Sequence, residues 1–98
     1  MRPSQILEKH RSEIRAIMAR YPTLANLRVV GSVARGEDTE KSDIDFLVDP
    51  LPGTTLFKLG GLYEDFQALL GVPVHITLSD PHMKKSLKMT FERDSVPI

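Results

Sequence analysis

Gly31-Ser32-Val33-Ala34-Arg35-Gly36, then Ser42-Asp43-Ile44-Asp45-Phe46-Leu47-Val48 after a polar stretch, are the residues on which the fold of this chain turns. Leu27 to Val30 is a short apolar run that stops at a glycine, as a strand does before a tight turn. Asp43 to Asp49 alternates over its first half. Ile44, Phe46 and Val48 take one face, and Asp43, Asp45, Leu47 and Asp49 the other. Asp49-Pro50 ends that strand, and residues 32–42 between the two strands read as a polar loop.

Three amphipathic stretches surround these strands. Residues 4–21 form a helix, with Ser4 as its cap, Tyr21-Pro22 as its stop, and Leu7, Ile14, Ile17, Met18 and Tyr21 on its apolar side. Residues 54–70 form a second helix, with Thr54 as its cap and Gly71 at the left-handed position that closes it. Gly60-Gly61 inside it implies close packing against a neighbouring backbone. Val72 to Leu78 is a third strand with His75 and Thr77 on one face, and Pro73 places it at a strand start or a sheet edge. Asp80-Pro81 opens a third helix that runs to about Arg93 and buries Met83, Leu87 and Phe91. Val96 to Ile98 is an extended tail. The order α-β-β-α-β-α predicts an α/β (α+β) fold, a small mixed sheet with helices packed on one face and an open polar face on the other.

The composition narrows the function. At 98 residues the chain is read as one domain, residues 1–98. A chain this short buries only roughly 60–65% of its unfolded surface, so a partner that covers apolar surface would help it. Thirteen Lys and Arg balance thirteen Asp and Glu, which excludes strong nucleic-acid binding through counterion release. There is no cysteine, and hence no disulfide, zinc–thiolate site or thiol nucleophile. No run nears the ~18–20 apolar residues of a membrane span, and nothing resembles a leader peptide, so a cytoplasmic protein is expected.

Two carboxylates at i and i+2 on a strand project from one face and repel unless a cation lies between them. Such hard oxygen ligands suit Mg²⁺, which one or two carboxylates hold together with substrate phosphates. The Gly31-Ser32 turn brings backbone N–H groups and a hydroxyl that suit phosphate oxygens, and Arg35 adds planar donors.

Together, Gly31-Ser32, ten further residues, and Asp43-x-Asp45 resemble the signature of the DNA polymerase beta-like nucleotidyltransferases, and more narrowly the minimal nucleotidyltransferases. The likeness extends over most of the chain. It implies Asp43 and Asp45 as metal ligands and catalytic residues, Gly31, Ser32, Arg35 and Ser42 as the nucleotide-binding group, Mg²⁺ as the metal and ATP as the substrate. The family carries a third carboxylate on the next strand, in a pattern that Val74-His75-Ile76-Thr77 matches with histidine in its place. His75 is therefore a third catalytic candidate, either as a base or as a ligand for a softer metal such as Mn²⁺. The other reading is that its presence marks a weakened site.

Minimal nucleotidyltransferases are commonly paired with HEPN-type RNases in toxin–antitoxin modules. The resemblance thus implies an antitoxin that transfers AMP to a HEPN partner in a hetero-oligomer. Two alternatives stay open, an antitoxin that acts by binding alone and a stand-alone transferase for a small molecule or an RNA end.

Overall fold

A computed structural model describes residues 1–80 and 94–98. The chain runs through α1 (Pro3–Lys9), α2 (Arg11–Met18), β1 (Leu24–Val30), α3 (Gly31–Arg35), β2 (Ile44–Pro50), α4 (Leu56–Leu70), β3 (Val74–Leu78) and β4 (Val96–Pro97). The strands form one mixed sheet in the order β3-β2-β1-β4. β1 pairs antiparallel with β2 and with β4, and β2 pairs parallel with β3. A parallel pair needs a crossover, and α4 supplies it.

The apolar residues of the strands meet the helices on one face. Ile44, Phe46, Val48 and Val74 are fully buried or nearly so, with Leu62, Phe66 and Leu70 of α4 and Ile14 and Ile17 of α2. Phe46 and Phe66 stack at the centre, their ring centroids 4.8 Å apart. The opposite face carries Asp45, Asp49, His75 and Thr77 but is not polar throughout. Val30 and Leu47 lie on it and are buried, whereas His75 and Thr77 at the β3 edge are exposed.

Several boundaries differ from the sequence expectation. The first helix is two helices, broken at His10 (φ −108°, ψ 17°). The His10 carbonyl accepts from Ile14 N–H at 2.9 Å, so this residue ends one helix and starts the next. Ser4 is not the cap. Arg2 is, and Ser4 N–H instead donates to the buried Asp38 carboxylate at 2.9 Å, a cap supplied from a distant loop. For α4 the cap is Thr55, whose hydroxyl accepts from Lys58 N–H at 3.1 Å. The Thr54 hydroxyl donates to the carbonyls of Thr23 and Leu51. Gly71 closes α4 in the left-handed conformation, φ 68°, as expected. β1 begins three residues early because Asn26 takes a left-handed turn, φ 55°, within a bulge that the sequence does not advertise.

The glycine pair of α4 behaves differently from its prediction. A Cβ on Gly61 would lie 2.8 Å from the hydroxyl oxygen of Tyr21, so the close neighbour is a side chain and not a backbone. A Cβ on Gly60 would meet nothing within 4 Å. Helix-interior glycine costs about 1 kcal/mol relative to alanine. At Gly61 the Tyr21 hydroxyl takes the space of a side chain, whereas at Gly60 no described residue does. The helix expected from Asp80 to Arg93 lies outside the described residues.

Candidate active site

The site assembles where three strand segments meet. Asp45 is the second residue of β2, opposite Val30 at the end of β1 and opposite His75 of β3. Asp43 sits just before β2. Its Oδ2 lies 2.9 Å from Nε2 of His75, which orients the imidazole; the His75 side chain stands largely in solvent and that of Asp43 is partly covered. Sequence alternation placed His75 on the face of the Asp-x-Asp pair, and the parallel β2–β3 register brings it there.

Gly31 is required by the geometry on two counts. Its φ of +72° is the left-handed region that side chains disfavour. A Cβ there would also lie 2.6 Å from Oδ2 of Asp45. A side chain at residue 31 would therefore strain the turn and displace the Asp45 carboxylate. Ser32 follows in the segment read as loop, which is the one-turn helix α3, held down by buried Val33 and closed by Gly36 at φ 72°. Five residues are too few to show helical periodicity, so the sequence pattern does not reveal α3.

Asp45 is held above the ordinary carboxylate range. Burial contributes most, and the like charge of Asp43 adds to it, while His75 and Arg35 oppose. A cation between the two carboxylates would relieve that repulsion. The donor set, two hard carboxylates beside a turn that can face phosphate, fits Mg²⁺. Among the described residues no three acidic or imidazole groups converge in metal-binding geometry, and His75 is a hydrogen-bond partner of Asp43.

Two other expected site residues are engaged elsewhere. Arg35 pairs with Glu37 at 3.0 Å and with Asp94 at 3.8 Å. The Ser42 hydroxyl accepts from Thr39 N–H at 2.9 Å and pins the turn ahead of β2. The sequence reading missed Asp94, which lies far from Arg35 in the chain and carries no local signal.

At the far end of the same face, Asp49 is differently placed. Asn26 Nδ2 donates to it at 3.0 Å, the Ser79 hydroxyl at 2.6 Å, and Arg28 pairs with it. Burial pulls the Asp49 carboxyl upward, but these donors outweigh it and leave the group below its ordinary range.

This fold, with a glycine-serine turn beside an Asp-x-Asp pair at the start of β2, is that of a nucleotidyltransferase. The family model for the nucleotidyltransferase domain matches residues 11–97, and the chain belongs to that family. Within it, the similarity is to minimal members. The chain is 39% identical over 83 residues to "Protein adenylyltransferase MntA" of Thermococcus cleftensis, covering 85% of this chain and 75% of that one. It is 34% identical over 88 residues to "Putative protein adenylyltransferase MJ0126" of Methanocaldococcus jannaschii, covering 86% of each. A solved structure described as "Structure of putative minimal nucleotidyltransferase" superposes with a TM-score of 0.77 at 35% identity, covering 94% of this chain and 95% of that one. Members of the family generally use ATP and a divalent metal. Among the described residues no helix is long and apolar enough to cross a membrane.

Proposed function

We propose that this chain is a protein adenylyltransferase that transfers AMP from ATP to a hydroxyl on a protein partner. One observation carries the reading: Asp43, Asp45 and His75 meet beside the Gly31 turn on one face of the sheet. The relatives' names add the acceptor class.

In this reading the acceptor hydroxyl attacks the α-phosphorus of ATP. A new P–O bond forms, the bond to the bridging oxygen breaks, pyrophosphate leaves with the electron pair, and the hydroxyl proton passes to solvent. Asp43 and Asp45 would hold the divalent cation, which when bound neutralises charge on the phosphate oxygens. Ser32 and the backbone of the Gly31 turn face the leaving phosphates. Arg35 reaches them by exchanging Glu37 for phosphate. His75 occupies the strand position of the family's third carboxylate. Its bond to Asp43 keeps the imidazole at the edge where the acceptor arrives. The Ser42 hydroxyl, spent on its turn, sets the approach of Asp43 rather than touching nucleotide.

The partner class follows from the resemblance in sequence: a HEPN-type RNase, neutralised by the modification in a hetero-oligomer. Incubating a co-purified partner with ATP and either Mg²⁺ or Mn²⁺ tests the reading by intact mass. Gain of one AMP on the partner supports it. An unmodified partner whose RNase is nevertheless silenced by complex formation overturns transfer in favour of neutralisation by binding.

A further inference from the structure

Gly60 is the most informative residue outside the reacting cluster. Glycine is the poorest helix former after proline, and among the described residues nothing approaches the position of a Cβ there. The glycine thus keeps a surface clear without serving internal packing. Around it apolar side chains stand in water, with Phe57 91% exposed, Leu56 84% and Tyr63 42%. An open groove of about 380 Å³ runs between α4 and β3, lined by Leu56, Leu59, Gly60 and Tyr63 on one wall and by His75 and Ile76 on the other.

The β3 wall is a sheet edge. The Pro73 carbonyl and Ser79 N–H both bond to β2, so the odd positions of β3 turn their backbone groups inward and the even positions turn theirs outward. Val74 N–H is taken by the Gln67 side chain at 2.9 Å. The backbone groups of Ile76 and Leu78 remain directed away from the sheet. Among the described residues no strand pairs with this edge.

We propose that this edge and groove are the docking site of the acceptor polypeptide, which adds to β3 as an extended strand. The inference rests on the protein-acceptor reading above and deepens it. The groove shares His75 with the reacting cluster, and that continuity identifies the occupant as the acceptor. Neighbouring strands lie about 4.7–4.9 Å apart with side chains alternating between faces. The acceptor residue opposite His75 therefore presents its hydroxyl on the face of Asp43 and Asp45. Its two sequence neighbours point to the other face and enter the groove over Gly60, between Leu56 and Tyr63. The substrate is thus a Tyr, Ser or Thr flanked by apolar residues in an extended segment, read by backbone pairing and side-chain pockets as in other strand-addition complexes. A small-molecule acceptor would leave the strand edge and Leu56 uncovered.

The test uses the full chain, labelled ATP and a library of octapeptides that each carry one Tyr, Ser or Thr. The expected result is label on peptides with apolar neighbours around the hydroxyl residue. Gly60→Leu and Leu56→Glu are expected to raise the KM for the best peptide at least tenfold, with the KM for ATP held and the melting temperature of Gly60→Leu not lowered. N-methylation of alternate backbone nitrogens in that peptide is expected to abolish labelling. Unchanged peptide KM in both variants overturns the groove and leaves the protein-acceptor reading standing. Label on nucleoside or polyol hydroxyls but on no peptide overturns that reading itself, and the groove with it.

Discussion

Asp45 and Asp49 share one strand and one face, yet β2 treats them in opposite ways. At Asp49 three donors converge and hold the carboxyl below its ordinary range. At Asp45 burial and the charge of Asp43 raise the carboxyl, which lies beside the bare Gly31 turn. The first arrangement ties β1, β2 and the end of β3 together. The second leaves a strained charge that the apo fold does not require, which is the mark of a group kept for a ligand.

The contrast breaks most sharply in catalysis. Asp45→Asn and Asp43→Asn are each expected to lower AMP transfer by about 10²-fold or more, the scale of losing a preorganised electrostatic contact. Single-turnover transfer to an authenticated partner checks this, and undiminished transfer in both variants removes the site assignment. Gly31→Ala comes next. It costs about 1–2 kcal/mol in backbone strain and also pushes the Asp45 carboxylate aside, so stability and transfer fall together. A crystal structure of the variant showing Asp45 unmoved would detach the two effects.

At the other end, Asp49→Ala is expected to cost about 1–2 kcal/mol by stranding the Arg28, Asn26 and Ser79 donors, with transfer retained. Urea denaturation measures it. The smallest effect is in pH. Asp38 resembles Asp49. Burial raises its carboxyl, but the Ser4 bonds prevail and leave it lowered. Groups lowered on folding stabilise the protein above the unfolded carboxylate pKa of about 3.9, and that contribution is lost as pH falls through their folded values. Asp45 has the opposite sign. Its penalty is complete above its raised folded pKa and vanishes as pH falls below about 3.9. The stability gain of Asp45→Asn over wild type is therefore larger at pH 7 than at pH 3.

The sequence reveals these two ends unequally. Asp43, Asp45 and His75 are readable because strand alternation and a glycine-serine turn are local patterns, and local patterns are written in consecutive residues. The Asp49 cluster is not, since Asn26 enters it through a bulge and Ser79 from beyond β3. Asp49 reads as a residue on the face of Asp45 that precedes a proline, and its partners do not show. The break at His10 and the cap from Asp38 are hidden for the same reason, and the two-residue β4 is too short to show a period and is identified only by its pairing with Arg28 and Val29. Gly60-Gly61 was visible as an anomaly, but only the three-dimensional contacts separate a glycine that admits Tyr21 from one that faces open space.

The central claim is that one carboxylate of β2 is held for chemistry and the other for structure. Measuring melting temperature and AMP transfer side by side for Asp45→Asn and Asp49→Asn at pH 7 tests it most directly. The account predicts that Asp45→Asn melts no lower than wild type and loses transfer, while Asp49→Asn melts lower and keeps transfer at the temperatures where it is folded. Full transfer by Asp45→Asn, or loss of transfer in folded Asp49→Asn, would contradict it.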